Sequence, residues 1–431
     1  MQVGERLTQL RQAYAARRPE SRRRMQEAKR WMPGGNTRSV LHFEPFPMVI
    51  AAGEGDRIRD VDGFDYIDCA GEFSAGLYGH GERSIRAAQE KALADGLVLV
   101  GPNLYEAGLA RELCDRFASV ERVRFCNSGT EANLFAVLAA RAVTGRNRIL
   151  VFEGAYHGGV MVFSGAEAPM NVPFEYVLAA YNCEEDAARL IRACGEELAA
   201  VLVEPVLGAA GNLPASHGFL ERLRAETRDV GALLIFDEVK TSRLGAGGVQ
   251  GLCGVAPDLT TFGKYLGAGL PFGAFGGRAD IMDRFDPSRP GALKHAGTFN
   301  NNVMSMAGGL VGLREVFTAE RADSFLERGE AFRHRLEEAF AAAGIPVRPS
   351  GLGSMISLHV GENAPARLAE LHPATDAMRR LVHLKCLEEG LATTPRGDIF
   401  LSLPMTDDTL AKIEDKLLRA VRSEAAYFLS A

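Results

Sequence analysis

Phe236-Asp237-Glu238-Val239-Lys240 and Thr261-Phe262-Gly263-Lys264-Tyr265 are the stretches on which the fold turns. The first closes the apolar run 232–236, so Asp237 stands where a buried strand ends. The second closes another short apolar run and is trailed by Gly267, Gly269 and Gly273. An acid at one strand end and a lysine at the next face one crevice if the strands are parallel, because ligands of parallel α/β sheets bind just outside those ends.

Working outward, strand-like and helix-like segments alternate. Strands read near 122–126, 148–152, 175–179, 200–204, 232–237 and 258–262, with helices near 129–143, 184–197 and 217–230. That spacing predicts an α/β fold with a mostly parallel central sheet covered by helices on both faces. The link from Lys264 to 272–277 is too short for a helical crossover, so that strand is expected to be antiparallel. Upstream, 48–70 has the pattern of a small antiparallel sheet turning at Asp62-Gly63, preceded by helices broken at Pro33-Gly34-Gly35-Asn36. Downstream of a helix over 303–317 come helices at 319–342, 371–389 and 407–428 and strands near 355–360 and 398–403. The expected division is 1–70, a helical segment and small sheet belonging to the small domain; 71–317, a large ligand-binding domain; and 318–431, a C-terminal α+β domain.

Composition sets outer bounds. At 431 residues the chain is long for one core. A net charge of −6 gives no general drive toward nucleic acid or an anionic membrane. The seven cysteines are scattered, with no C-x-x-C pair, so neither a metal site nor a disulfide framework is indicated. Reduced thiols, the absence of a long apolar run and a polar N-terminus together predict a cytoplasmic protein. Arg22-Arg23-Arg24 reads as a solvated helix face.

Four further positions bear on chemistry. Asn127-Ser128-Gly129-Thr130-Glu131-Ala132 joins a strand to a helix. Its small residues leave backbone N–H groups and hydroxyls for an anion, although Ser128 and Glu131 also suit a plain capping box. Tyr156 in Tyr156-His157-Gly158 follows a strand and can stack on a flat ring or simply pack; His157 reads as a hydrogen-bonded structural residue. Asp237, after Leu-Leu-Ile-Phe, is partly buried and needs a partner: a pyridinium N–H, a cap or a metal. Lys264, on a Gly-flanked turn among apolar residues, is a candidate nucleophile rather than an ordinary surface lysine. A lysine that forms a Schiff base and an acid that pairs with a ring nitrogen are the minimum a pyridoxal phosphate enzyme needs.

Asn127-Ser128-Gly129-Thr130-Glu131-Ala132, Tyr156-His157-Gly158, Val203-Glu204-Pro205, Asp237-Glu238-Val239 and Gly263-Lys264 occur in the order found in class III aminotransferases. The chain resembles that family over nearly its whole length, glutamate-1-semialdehyde aminomutases included. Met32-Pro33-Gly34-Gly35-Asn36-Thr37-Arg38-Ser39-Val40-Leu41, Thr241-Ser242-Arg243-Leu244, His295-Ala296-Gly297-Thr298-Phe299-Asn300-Asn301-Asn302 and Pro395-Arg396-Gly397 are most similar to the β-amino-acid (β-phenylalanine) aminotransferase branch. The resemblance implies pyridoxal 5′-phosphate, fold type I and a homodimer with shared active sites. It implies that Lys264 carries the cofactor as a Schiff base and that Asp237 pairs with the pyridine nitrogen. Ser128, Gly129 and Thr130 hold the phosphate, and Thr298 reaches the phosphate of the partner subunit's cofactor. Tyr156 and Val239 flank the ring, and Arg38 and Arg396 bind substrate carboxylates. The implied reaction is amino transfer from an aromatic or apolar β-amino acid to 2-oxoglutarate or pyruvate by a ping-pong route. The alternatives are a 2,1-aminomutase and, on the same scaffold, a non-catalytic binding protein; Lys264 and Asp237 speak against the latter.

Three departures from the family pattern stand out. The loop 206–211 has no acid or amide to gate an arginine, so Arg396 must be managed by another route, such as swinging aside for an apolar side chain. Lys240 replaces the usual Met or Gln and either addresses the cofactor or a carboxylate, or points to solvent. Pro102 lies in a loop that lines the pocket of relatives.

Overall fold

Seven strands of one sheet build the larger of two units of the chain, in a computed structural model that describes residues 3–165 and 168–430. They are β1 (Arg122–Cys126), β2 (Arg148–Phe152), β3 (Glu175–Ala179), β4 (Leu198–Val203), β5 (Leu233–Asp237), β6 (Leu259–Gly263) and β7 (Gly273–Gly277). Their order in the sheet is β1-β7-β6-β5-β4-β2-β3. Pairings from β6 to β3 are parallel, whereas β7 runs antiparallel to both β6 and β1, as its short link requires. All residues of β4, β5 and β6 are buried, which accounts for their unbroken apolar runs: a strand covered on both faces has no solvent side to alternate with. Ala136, Ala140, Val151, Leu202, Ile235 and Phe275 belong to the core on one face, each large one contributing roughly 1.5–3 kcal/mol.

The helices are set by their ends. α1 (Gly129–Thr144) starts at Ser128, whose Oγ accepts the Glu131 N–H at 3.1 Å, while Glu131 reaches back to the Asn127 N–H at 2.8 Å. It stops at Gly145, in the left-handed region with φ 70°. α2 (Glu184–Cys194) and α3 (His217–Val230) continue the alternation, α3 capped by Ser216 and ended by Gly231. The expected helix over 303–317 is an α-helix only over Val303–Val311; a π-helical turn, Gly312–Val316, follows.

Register is what positions a site. Asp237 pairs with Thr261, Gly263 with Gly273, and Gly273 with Cys126. The carboxyl ends of β5, β6 and β1 therefore fall on one line. Gly273 has to be glycine there, since a Cβ would lie 2.1 Å from the Ser128 carbonyl oxygen.

The second unit comprises residues up to Glu82, Arg328–Pro365 and residues from Ala369 on; the first is Arg83–Glu327 with Ala366–Leu368. The sequence reading placed its boundaries at 70/71 and 317/318. In the second unit, the antiparallel strands Ile50–Glu54, Arg57–Asp60 and Asp65–Asp68 take on Leu391–Ala392 as a fourth, parallel strand. A further antiparallel sheet runs Val347–Leu352, Met355–Val360, Asp398–Phe400. The sequence reading missed the first of these, whose pattern is interrupted by Pro349 and Gly351. Arg22, Arg23 and Arg24 are exposed. Among the described residues, no helix is long and apolar enough to cross a membrane.

Candidate active site

Asp237 closes β5 and is 5% exposed. Its Oδ2 accepts from Asn133 Nδ2 at 2.8 Å and lies 2.8 Å from His157 Nδ1. Its Oδ1 accepts from the Val239 N–H at 3.1 Å and from Thr261 Oγ1 at 3.4 Å. Thr261 Oγ1 is in turn 2.6 Å from Asn133 Oδ1. Four partners from four chain segments fix one carboxylate, the arrangement a buried acid requires. His157 is fully buried and takes the structural role expected of it, backing Asp237; Asn133 and Thr261 are the partners that the sequence reading missed. Asn133 lies about one helical turn past the Ser128 cap, a position whose spacing was the available signal.

Behind this cage sits Glu204, after the end of β4. Its Oε1 accepts the Tyr156 N–H at 2.9 Å and its Oε2 the Gly208 N–H at 3.1 Å. Burial pushes its carboxyl above the ordinary range; His157 and Lys240 pull it back and the Asp237 charge pushes it further. Glu238, the neighbour of Asp237, faces the other way and is fully buried. It receives the Val249 and Gln250 N–H groups, both at 3.0 Å, and the Thr241 hydroxyl at 2.8 Å.

Lys264 follows β6 with φ 56°, an unusual conformation for a side chain of its size and one that collects at functional sites. Its neighbour Tyr265 is buried and donates to the Ser242 carbonyl at 3.0 Å, which pins the turn. A Cβ on Gly263 would lie 3.1 Å from Val239 Cγ1 and 3.5 Å from Gly129 N, and one on Gly129 2.8 Å from Val239 Cγ1. Glycine at both places lets the start of α1, the residue before Lys264, and Val239 close on one another. Gly158 is similarly tied to Thr130, whose Cα would sit 2.6 Å from an added Cβ, and Thr130 Oγ1 accepts the Gly159 N–H at 3.3 Å. The structure thus joins Ser128, Gly129, Thr130, Asp237, Val239 and the Lys264 turn, with the Tyr156-His157 segment at their edge; Tyr156 itself is 43% exposed.

The donor set fits pyridoxal 5′-phosphate. It offers a primary amine, a caged carboxylate acceptor, and hydroxyls beside the N-terminus of a 16-residue helix whose dipole favours an anion. The capping box is also present, as the plain structural reading of the turn expects.

Thr298 lies elsewhere on the same unit, exposed, in the wall of a cleft of about 1020 Å³ with Pro102, Asn103, Arg124, His295 and Asn301. Lys240 Nζ is buried and packs on Gly208, where an added Cβ would come within 2.5 Å of it, so the amine does not point to solvent.

Arg38 and Arg396 belong to the second unit, and the structure brings them together there. Their guanidinium carbons lie 5.4 and 5.3 Å from the centroid of one ring, Phe73, within cation–π reach. Phe73 is carried by a left-handed turn: Gly71, Glu72, Phe73 and Ser74 have φ of 48°, 46°, 55° and 80°. Such a turn costs roughly 1–2 kcal/mol for each non-glycine residue. It is held by Asp68 Oδ1, which accepts the Gly71 N–H at 2.9 Å, and by the Gly76 N–H on the Gly71 carbonyl at 2.8 Å. Glu72 pairs with Arg38, and Arg396 Nε lies 3.6 Å from Asp398 Oδ2.

A family profile for class III aminotransferases matches residues 41–421. The chain is 47% identical over 389 residues to a β-phenylalanine transaminase of Variovorax paradoxus, covering 90% of this chain and 89% of that one. It is 36% identical to a glutamate-1-semialdehyde 2,1-aminomutase of Brevibacillus brevis, covering 94% and 99%. Among solved structures, the crystal structure of a β-phenylalanine aminotransferase from Variovorax paradoxus superposes with a TM-score of 0.96 at 44% identity, covering 98% of each chain.

Proposed function

The chain belongs to the class III aminotransferases, pyridoxal 5′-phosphate enzymes of fold type I, and on that premise we propose that it moves the amino group of an aromatic or apolar β-amino acid to 2-oxoglutarate or pyruvate in a ping-pong cycle. The observation that carries the reading is the caged Asp237 on one line with the Lys264 turn and the N-terminus of α1.

When bound, pyridoxal 5′-phosphate supplies an electron sink for breaking the C–H bond beside the amine. Asp237, held by Asn133, His157 and Thr261, would be the acceptor for the ring N–H. Lys264 would hold the cofactor as a Schiff base, and its Nζ, when free, would be the acid and base that moves the proton of the C–H bond beside the amine. Ser128, Gly129 and Thr130 would hold the phosphate, an anchor that does not depend on Lys264. Tyr156 and Val239 would flank the ring. Arg38 and Arg396 bind carboxylates, for which a planar fork is suited. The enzyme works as a cytoplasmic homodimer in which Thr298 serves the partner's phosphate site; its exposure in an open cleft supports that role.

A panel of α- and β-amino acids against 2-oxoglutarate and pyruvate tests the reading. Turnover of an aromatic β-amino acid that depends strictly on added keto acid is expected. Nitrogen transfer within one molecule, with no keto acid needed, would instead mark an aminomutase.

A further inference from the structure

Arg38 and Arg396 share a ring but differ in the carboxylate each one meets. Glu72, the partner of Arg38, has a side chain 60% exposed, and that of Arg38 is 41% exposed. Asp398, the partner of Arg396, is 2% exposed and is fixed by Ser357 Oγ at 2.7 Å and Thr394 Oγ1 at 3.1 Å. Glu72 has room to swing into water; Asp398 has none. Both arginines contact the buried Phe73 ring, a contact independent of either carboxylate's position. Glu72 is also the residue next to Phe73 in the left-handed turn, so the segment that supplies the platform supplies the acid.

We propose that Glu72 is a resident carboxylate: it occupies the Arg38 guanidinium in the substrate-free enzyme and gives way to the carboxylate of the incoming amino donor. Glu72 thereby sets the affinity for monocarboxylates at Arg38, as a specificity-determining residue. Exchange is cheap because an exposed ion pair contributes little, and one anion replaces another on the same fork. Arg396 is different. Its counter-charge is built into the strand Asp398–Phe400, so it remains neutralised without the acidic gate missing from 206–211.

The inference rests on the reading of Arg38 as a carboxylate site, and the test separates the two. The probes are 3-phenylpropanoate, which has the carboxylate without the amine, and its uncharged analogue 3-phenylpropan-1-ol. Binding to the cofactor-loaded enzyme is measured by calorimetry, beside KM for β-phenylalanine. In Glu72→Gln, 3-phenylpropanoate should bind roughly two- to fivefold tighter, KM should fall by a similar factor, and the alcohol should bind as before. In Arg38→Ala, the preference for the acid over the alcohol should vanish. If Arg38→Ala abolishes that preference and Glu72→Gln leaves the acid's affinity unchanged or weaker, the inference falls and the role of Arg38 stands. If Arg38→Ala leaves the preference intact, both fall.

Discussion

Two regions of this molecule handle charge in opposite ways. Around Asp237, one carboxylate at 5% exposure meets four partners, each from a different segment. Around Phe73, two guanidiniums rest on a ring, each with one carboxylate for a partner and more than a third of its side chain in solvent or close to it. Disturbing the first leaves buried polar groups unmatched, which is costly; disturbing the Arg38–Glu72 pair of the second exchanges one solvated pair for another. The carboxylate of Asp237 is fixed, and the Arg38–Glu72 pair is adjustable. Chemistry common to a whole family belongs in the first kind of site and substrate selection in the second.

The harshest way to break this contrast is at Lys264. Lys264→Ala should lower kcat by at least about 10³-fold, as loss of a positioned acid–base group and of the covalent anchor demands. Borohydride reduction followed by peptide mass analysis should place the cofactor on the Lys264 peptide of the wild type and nowhere on the variant; full turnover in the variant would overturn the assignment. Asp237→Asn comes next. It keeps the shape but removes the charge and turns an amide N–H toward donors that need an acceptor. A loss of about 10²–10³ in kcat is expected. A loss of the same size from Arg38→Ala with an amine lacking a carboxylate would erase the distinction between the two regions.

A third test asks whether the arginine region is soft throughout. Beneath the turn 393–398 lies His383, fully buried, its Nδ1 3.3 Å from Thr393 Oγ1 and its ring edge-on to Phe43 at 4.6 Å. Burial pushes its imidazole from 6.5 down to about 4. The unfolded chain takes up this proton near pH 6.5, whereas the folded chain refuses it until about pH 4. The neutral form is thus without penalty above pH 6.5, and stability drains away as pH falls through that window. The full effect is about 3 kcal/mol. In His383→Leu, melting curves taken across the window should fall less steeply than those of the wild type. Parallel curves would mean that His383 does not couple acid to this region.

The sheet was legible because buried parallel strands are unbroken apolar runs closed by polar residues; Leu233–Asp237 announces both its burial and its end. The same rule located Asp237 and Lys264. Resemblance, not spacing, supplied Arg38 and Arg396, since nothing local marks an arginine as a ligand. What stayed hidden depends on contacts between distant segments. Asn133 and Thr261 look like ordinary helix and strand residues until the register sets them beside Asp237. The left-handed turn at Glu72-Phe73-Ser74 was invisible for another reason: three non-glycine residues there contradict local propensity, and contacts with Asp68, Gly76 and the surrounding packing hold them.

Lys240 offers the test with the smallest expected effect on turnover, because it lies in the rigid region, buried beside the Glu204 frame. Its amine is buried against Gly208, and its charge favours the ionised form of Glu204. Glu204 holds the Tyr156 and Gly208 N–H groups, so the lysine serves the frame behind the cofactor site rather than the site itself. Lys240→Met should therefore lower stability, read as a drop in melting temperature, because a buried carboxylate then loses a neighbouring charge. The pH midpoint of the bound cofactor's visible absorbance should move by less than about one unit. A larger shift at unchanged stability would show that this amine addresses the cofactor directly. Lys240 would then join Asp237 and Lys264 as part of the fixed electrostatics, and the ionisation of Glu204 would need another source.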